Sequence, residues 1–212
     1  MDRIFIFDVD GTLTPSRLPM TKEFQKFFKE WLKKNTFYLV TGSDLSKLQE
    51  QMCFFDIEAD GIFTCCGNQF WKPDPSIVNT SAELIYDNKF EMTTKLKNSL
   101  EVMLMSSQYK HRYGNHIEDR GSMVNFSIVG RNCTQEQREE YYEWDKEKGE
   151  RRKISIFLKH KFKELDAVIG GQISIDIYPK GNDKSQVLDI IEQERLVKPD
   201  EYIFIGDRIE GG

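Results

Sequence analysis

No apolar run in this chain approaches the roughly 20 residues that a membrane-spanning helix needs, so a membrane role is not expected. A secretory leader is not expected either: Arg3-Ile4-Phe5-Ile6-Phe7 meets Asp8 before an apolar h-region can form. Cysteine is scarce, and Cys53, Cys65, Cys66 and Cys133 supply no spaced disulfide framework. The adjacent Cys65-Cys66 pair leaves a vicinal bridge open, but reduced structural thiols in a cytoplasmic protein are the expectation. Three histidines, none paired with cysteine at ligand spacing, argue against zinc. Positive charge is not in excess either. Thirty Lys and Arg against 35 Asp and Glu give a net charge of −5, which disfavours nucleic acid while leaving room for local basic patches that collect phosphate. Internal repeats and low-complexity tracts are absent.

What is present fits a soluble globular protein of one large domain or two modest ones: 212 residues, 39% hydrophobic and 31% charged. Ile4 to Val9 is an apolar run ending in an acidic loop, which reads as a buried strand. Thr21 caps a helical stretch with Phe24, Phe27, Phe28, Trp31 and Leu32 at helical spacing. Thr36 to Val40 is a second strand, a helix capped by Ser43 or Asp44 runs to about Cys53, and Gly61 to Thr64 is a third strand. This rhythm predicts a parallel sheet with helices on its faces.

The rhythm breaks in the middle. Pro73-Asp74-Pro75 marks a loop, and Asn88 sits in a polar turn. Met92 to Met105 is an amphipathic helix, and Met123 to Val129 alternates as a strand. Thr134-x-x-Gln137 is a capping-box pattern before a helix to about Lys148. A further helix is predicted over Ile154 to Glu164, then a strand over Ile173 to Tyr178 with Ser174 and Asp176 on one side. These elements predict an inserted α+β unit. After Pro179-Lys180-Gly181 the opening rhythm returns: a helix from Asp183 to Arg195, then a buried strand, Tyr202 to Ile205, ending in Gly206-Asp207. A tail continuing beyond Gly212 is expected.

Ligands of parallel α/β sheets bind beyond the carboxyl ends of the strands. Asp8 and Asp10 follow the first strand there, and Asp207 follows the last. Carboxylates gathered in one place repel one another and call for a hard cation; oxygen ligands with open positions suit Mg²⁺. In Asp8-Val9-Asp10-Gly11-Thr12, Val9 turns away so that both acids can face one pocket, and Gly11 permits the turn. One carboxylate can attack phosphorus while its neighbour exchanges a proton with the leaving and incoming oxygens. Thr41 offers a hydroxyl and a helix N-terminus to phosphoryl oxygens, and Lys184 offers positive charge. Each signal alone has a plainer reading, as a turn, a helix cap or a surface lysine. Their number and order favour phosphoryl transfer.

Asp8-Val9-Asp10-Gly11-Thr12, Thr41-Gly42-Ser43, Lys184 and Gly206-Asp207 resemble the motifs of the haloacid dehalogenase superfamily. Ile128-Val129-Gly130-Arg131-Asn132-Cys133-Thr134-Gln135-Glu136 and Gly170-Gly171-Gln172-Ile173-Ser174-Ile175-Asp176 narrow the resemblance to the eukaryotic-type phosphomannomutases, over almost the full length. That resemblance implies an α/β fold: a Rossmann-like core with a parallel sheet, from residues 1–81 and 181–212, and an inserted α+β cap, residues 82–180, for substrate binding. It also implies Asp8 as nucleophile, Asp10 as acid/base, and Mg²⁺ held by Asp8, the Asp10 carbonyl and Asp207. Arg17, Thr41, Gly42, Ser43, Arg120, Arg131, Ser174 and Asp176 fall on substrate-binding positions, and arginine forks suit phosphate. Thr41 departs from the family, whose motif here begins with glycine, and resembles the superfamily's phosphatases.

The expected activity is a phosphohexomutase, interconverting hexose 1-phosphate and hexose 6-phosphate of mannose or glucose through a bisphosphate. The alternative is a sugar-phosphate phosphatase on the same scaffold. The expected partner is a small hexose phosphate rather than nucleic acid or membrane, and family analogy suggests a homodimer through the cap.

Overall fold

The computed structural model describes residues 2–16, 18–53, 58–74, 82–195 and 198–207. The chain divides into two compact units, Met1–Asn88 with Asn182–Gly212, and Lys89–Gly181. Among the described residues no helix is long and apolar enough to cross a membrane.

The first unit is built on strand alternation. Strands β1 (Arg3–Asp8), β2 (Thr36–Val40) and β3 (Gly61–Thr64) send successive side chains to opposite faces. Phe7, Phe37, Leu39 and Ile62 pack on one face with Phe28 of α1 (Lys22–Leu32) and Leu48 and Met52 of α2 (Leu45–Met52). Ile4, Ile6, Tyr38, Val40 and Phe63 pack on the other with Val187 and Ile191 of α6 (Val187–Glu194). Both faces are therefore covered, as a parallel sheet requires. Thr21 caps α1 by accepting from Phe24 N, and Asp44 caps α2 by accepting from Lys47 N.

The sheet order is β10-β1-β2-β3-β4-β5, with β10 being Glu201–Ile205, β4 Gln69–Pro73 and β5 Ala82–Asp87. The first four strands are parallel, and β4 and β5 extend the sheet antiparallel. Residues 82–88, which the sequence reading places in the cap, thus lie in the first unit: β5 pairs with β4, and Asn88 N–H donates to the Asn68 carbonyl at 2.8 Å. Strand β10 also differs from its expectation. It is an edge strand among the described residues, and Phe204 is 44% exposed rather than buried.

The second unit carries an antiparallel sheet, β6-β7-β9-β8, from Ile117–Asp119, Val124–Ser127, Ser174–Pro179 and Leu165–Gly170. Its apolar face, with Val124, Phe126, Ala167, Ile175 and Ile177, packs with α3 (Thr94–Ser106), α4 (Gln135–Lys148) and α5 (Glu150–Lys161) through Leu100, Tyr141 and Leu158. The alternate residues Asn125, Ser127, Ser174 and Asp176 make its other face polar. Thr134 and Gln137 form the anticipated capping box at the start of α4. Helix α5 begins at Glu150, four residues earlier than the apolar pattern predicts. Gly149, at φ +62, closes α4, and the chain re-enters helix at once because Asp145 accepts from both Arg151 N and Arg151 Nε.

Candidate active site

Strand β1 delivers Asp8 to the carboxyl edge of the first sheet, and the loop after it is wound round one carbonyl. The Val9 oxygen accepts from the backbone N–H of Thr12, Leu13 and Thr14 at 3.1–3.2 Å, and Gly11 N–H donates to Thr14 O at 2.8 Å. Gly11 has φ +80, a left-handed conformation that glycine takes without the Cβ penalty. A second requirement also falls on it, because a Cβ there would lie 2.7 Å from Asp207 Oδ2. The carboxylate at the end of the last described strand therefore sits directly over the loop after the first.

Strand register explains the meeting. Phe7 pairs with Ile205, so Gly206 comes level with Asp8, and a Cβ on Gly206 would be 3.6 Å from Asp8 Cβ. Asp8 Oδ1 accepts from Val9 N at 2.8 Å, and Asp8 Oδ2 accepts from Lys184 Nζ at 2.7 Å. Lys184 stands in a short 3₁₀ turn, Lys184–Gln186, whose entry is fixed by Asp183 Oδ1 accepting from Ser185 N at 2.8 Å. Asp8, Lys184 and Asp207 are thus neighbours.

Asp10 stands apart from this group in one respect. Its Oδ1 accepts from Gln51 Nε2 at 3.0 Å, and Gln51, 2% exposed, also reaches Thr14 Oγ1 at 3.3 Å. Among the described residues no three His, Cys, Asp or Glu side chains group as metal ligands. The carboxylates of Asp8 and Asp207 stand at the strand ends beside the loop that carries Asp10 and Gly11. This all-oxygen set suits a hard cation that keeps several waters.

Thr41 is buried, and its Oγ1 accepts from Ser43 N at 3.0 Å, which closes the Thr41-Gly42-Ser43 turn. That turn is tied to the next strand end: Cys66 N donates to Thr41 O at 2.9 Å and Cys65 N to Ser43 O at 3.0 Å. Cys65 and Cys66 hold φ values of 52 and 60, a left-handed pair of non-glycine residues beside the candidate site. Among the described residues none of the four cysteines forms a disulfide. Asn68 Nδ2 bridges the Cys65 and Asn182 carbonyls, at 2.8 and 3.0 Å, and so links this turn to the segment carrying Lys184.

In the second unit, the other candidate residues lie on or beside the polar sheet face. Glu118 Oε2 lies 2.8 Å from Arg120 Nη2 and 3.2 Å from Arg131 Nε, and Arg131 Nη1 donates to Ser174 Oγ at 3.2 Å. Asp176 Oδ1 accepts from Asn125 Nδ2 at 2.5 Å. Gly170 lies so near that a Cβ there would meet Asp176 Oδ2 at 2.2 Å. Arg17 lies outside the described residues.

Gln51, Glu118 and Asn125 were not singled out from sequence, although each leaves a trace there. Gln51 falls at a buried position with Leu48 and Met52 on an otherwise apolar helix face. Glu118 lies on β6 two residues before Arg120, and Asn125 interrupts an apolar strand on the side opposite Val124 and Phe126.

The architecture places the chain among haloacid dehalogenase-like folds. A haloacid dehalogenase-like hydrolase from Bacteroides thetaiotaomicron superposes over 92% of this chain and 77% of its own, with a TM-score of 0.59 at 12% identity, a likeness of fold. Sequence comparison is more specific. Residues 24–212 match the family described as eukaryotic phosphomannomutase. The Arabidopsis thaliana phosphomannomutase is 37% identical over 214 residues, covering 99% of this chain and 84% of the relative. That of Encephalitozoon cuniculi is 35% identical over 218 residues, covering 99% and 81%. The chain belongs to the eukaryotic phosphomannomutase family, enzymes of the haloacid dehalogenase superfamily.

Proposed function

We propose that this chain is a Mg²⁺-dependent phosphohexomutase that interconverts hexose 1-phosphate and hexose 6-phosphate of mannose or glucose. The observation that carries the reading is Asp8 at the end of β1, with Lys184 Nζ at 2.7 Å and the Asp207 carboxylate lying over Gly11. Asp8 attacks phosphorus, an Oδ–P bond forms, the bond to the sugar oxygen breaks, and Asp10 supplies the proton that oxygen needs. In the working cycle the phosphorylated Asp8 gives its phosphoryl group to a hydroxyl of a hexose monophosphate, and Asp10 takes that hydroxyl's proton. The resulting bisphosphate returns its other phosphoryl group to Asp8, which leaves the isomeric monophosphate.

Lys184 offsets the charge that builds on the transferring phosphoryl oxygens, and Thr41, Gly42 and Ser43 receive those oxygens at the start of α2. Asp8, the Asp10 carbonyl and Asp207 would hold Mg²⁺, which when bound supplies Lewis-acid stabilisation of phosphoryl charge. Arg120 and Arg131 would bind the second phosphate, Ser174 and Asp176 the sugar hydroxyls, and Arg17 the substrate from the first unit. A homodimer formed through the second unit belongs to the same reading, and sedimentation at several concentrations tests it.

Phosphorus NMR of mannose 1-phosphate or glucose 1-phosphate, with Mg²⁺ and a hexose bisphosphate as activator, is the deciding experiment. Isomer formation with little free phosphate is the expected result. Free phosphate in excess of isomer would make the protein a sugar-phosphate phosphatase instead, the reading that Thr41 favours. Asp8→Asn should lower turnover by about 10³-fold or more; retained turnover would refute the covalent step.

A further inference from the structure

We infer that Glu118 is a positioning residue that presets the arginine pair for phosphate, an inference that rests on the proposed role of Arg120 and Arg131. The two guanidiniums belong to side chains only 8% and 6% exposed, and they share a single carboxylate oxygen. Unshielded cations buried close together repel one another and turn outward; a carboxylate between them removes that tendency.

The manner of sharing adds to the charge. Glu118 meets Arg120 at the terminal Nη2 and Arg131 at Nε, at 2.8 and 3.2 Å. It therefore hydrogen-bonds one fork and pairs by charge with the edge of the other. Arg131 Nη1 is steered further by Ser174 Oγ at 3.2 Å. Arg131 Nε meets the shared oxygen as an ion pair without hydrogen-bond geometry, so the Glu118 charge and the Ser174 contact together restrict where its planar fork lies. Register supplies the rigidity: Glu118 pairs with Asn125, Asn125 with Asp176, and Ser127 with Ser174, so the grip is carried by three adjacent strands. A phosphate arriving at such a pair finds donors already aimed and orders fewer side chains on binding.

A carboxylate that merely competed with phosphate for the same arginines would have the opposite consequence, and the two roles are separable. Glu118→Ala and Glu118→Gln are to be assayed for KM and kcat with mannose 1-phosphate, alongside Arg120→Ala, Arg131→Ala and the Glu118→Ala/Arg120→Ala double variant, with thermal melting of each. Loss of a charged hydrogen-bonding partner predicts KM raised about ten-fold or more for Glu118→Ala. kcat should stay within about three-fold, since the interaction serves binding more than the transition state. Gln keeps an acceptor oxygen and should restore part of the loss. In the Arg120→Ala background the Glu118 effect should shrink, because its partner is gone. KM unchanged or lowered in both Glu118 variants, while the arginine variants bind poorly, overturns the positioning role and leaves the arginine reading standing. Arginine variants with wild-type KM overturn both. If Glu118→Ala does not fold, the Glu118→Gln and Arg120→Ala pair decides the question on the same criteria.

Discussion

Gly11→Ala tests the joint between the two ends of the chain. Alanine at φ +80 costs ~1–2 kcal/mol of backbone strain. For a chain of this size that corresponds to a melting temperature lower by roughly 2–8 °C. The added Cβ would also stand 2.7 Å from Asp207 Oδ2, so the carboxylate must retreat by about 0.7 Å to reach ordinary contact near 3.4 Å. With Asp207 holding Mg²⁺ as proposed, a displacement approaching 1 Å should lower the rate by up to ~10²-fold. Gly149→Ala provides the control. It carries the same kind of strain at φ +62, but nothing lies within 4 Å of its Cβ and it sits at the junction of α4 and α5. Both variants should therefore lose similar stability, read by calorimetry. Only Gly11→Ala should lose turnover and need more Mg²⁺ to reach half of its maximal rate. A Gly11→Ala enzyme that melts early yet turns over normally at ordinary Mg²⁺ would refute the reasoning, because the position of Asp207 would then not matter to the chemistry.

Three further predictions concern stability. Asp145→Ala strands Arg151, whose ion pair at 2.7 Å joins side chains only 5% and 6% exposed, and should cost ~3–5 kcal/mol in urea unfolding; adding Arg151→Met should recover part of that, and a loss below ~1 kcal/mol would contradict the pairing. Thr134→Ala removes the capping box of α4 and should cost ~1 kcal/mol, measured the same way. Burial pushes Tyr109 up to about 12 and raises Tyr141 further. The native state then keeps protons that the unfolded chain releases near pH ~10, so stability should fall as pH rises from ~10 towards ~12. Urea midpoints that stay level across that window would contradict it.

The parallel part of the first unit is legible in the sequence because both physical signals are strong there. Phe5 and Phe7 alternate with Ile4 and Ile6, and Thr21 and Asp44 mark the helix starts by the hydrogen bonds they make. The antiparallel extension is not legible for the same reason. Most of β5 is exposed, so Ala82–Asp87 shows no inward-facing stripe, and its place is decided by pairing with β4. At the site, Asp8, Lys184 and Asp207 are readable as strand-end and turn residues, yet their proximity depends on the parallel register of β1 with β10. Gln51 and Glu118 escape notice because a buried glutamine and a strand glutamate acquire meaning only from the partners that folding gives them, Asp10 and two arginines.

The seat of β1 between β2 and β10 has a consequence for biosynthesis. Its neighbour on one side is made almost at once, whereas Glu201–Ile205 leaves the ribosome about 200 residues after Arg3. Through most of translation, Ile4 to Phe7 therefore present a naked hydrogen-bonding flank of bulky apolar residues, the kind of surface that recruits stray strands. Nascent chains stalled before residue 201 should be the ones that chaperones hold and that self-associate when released.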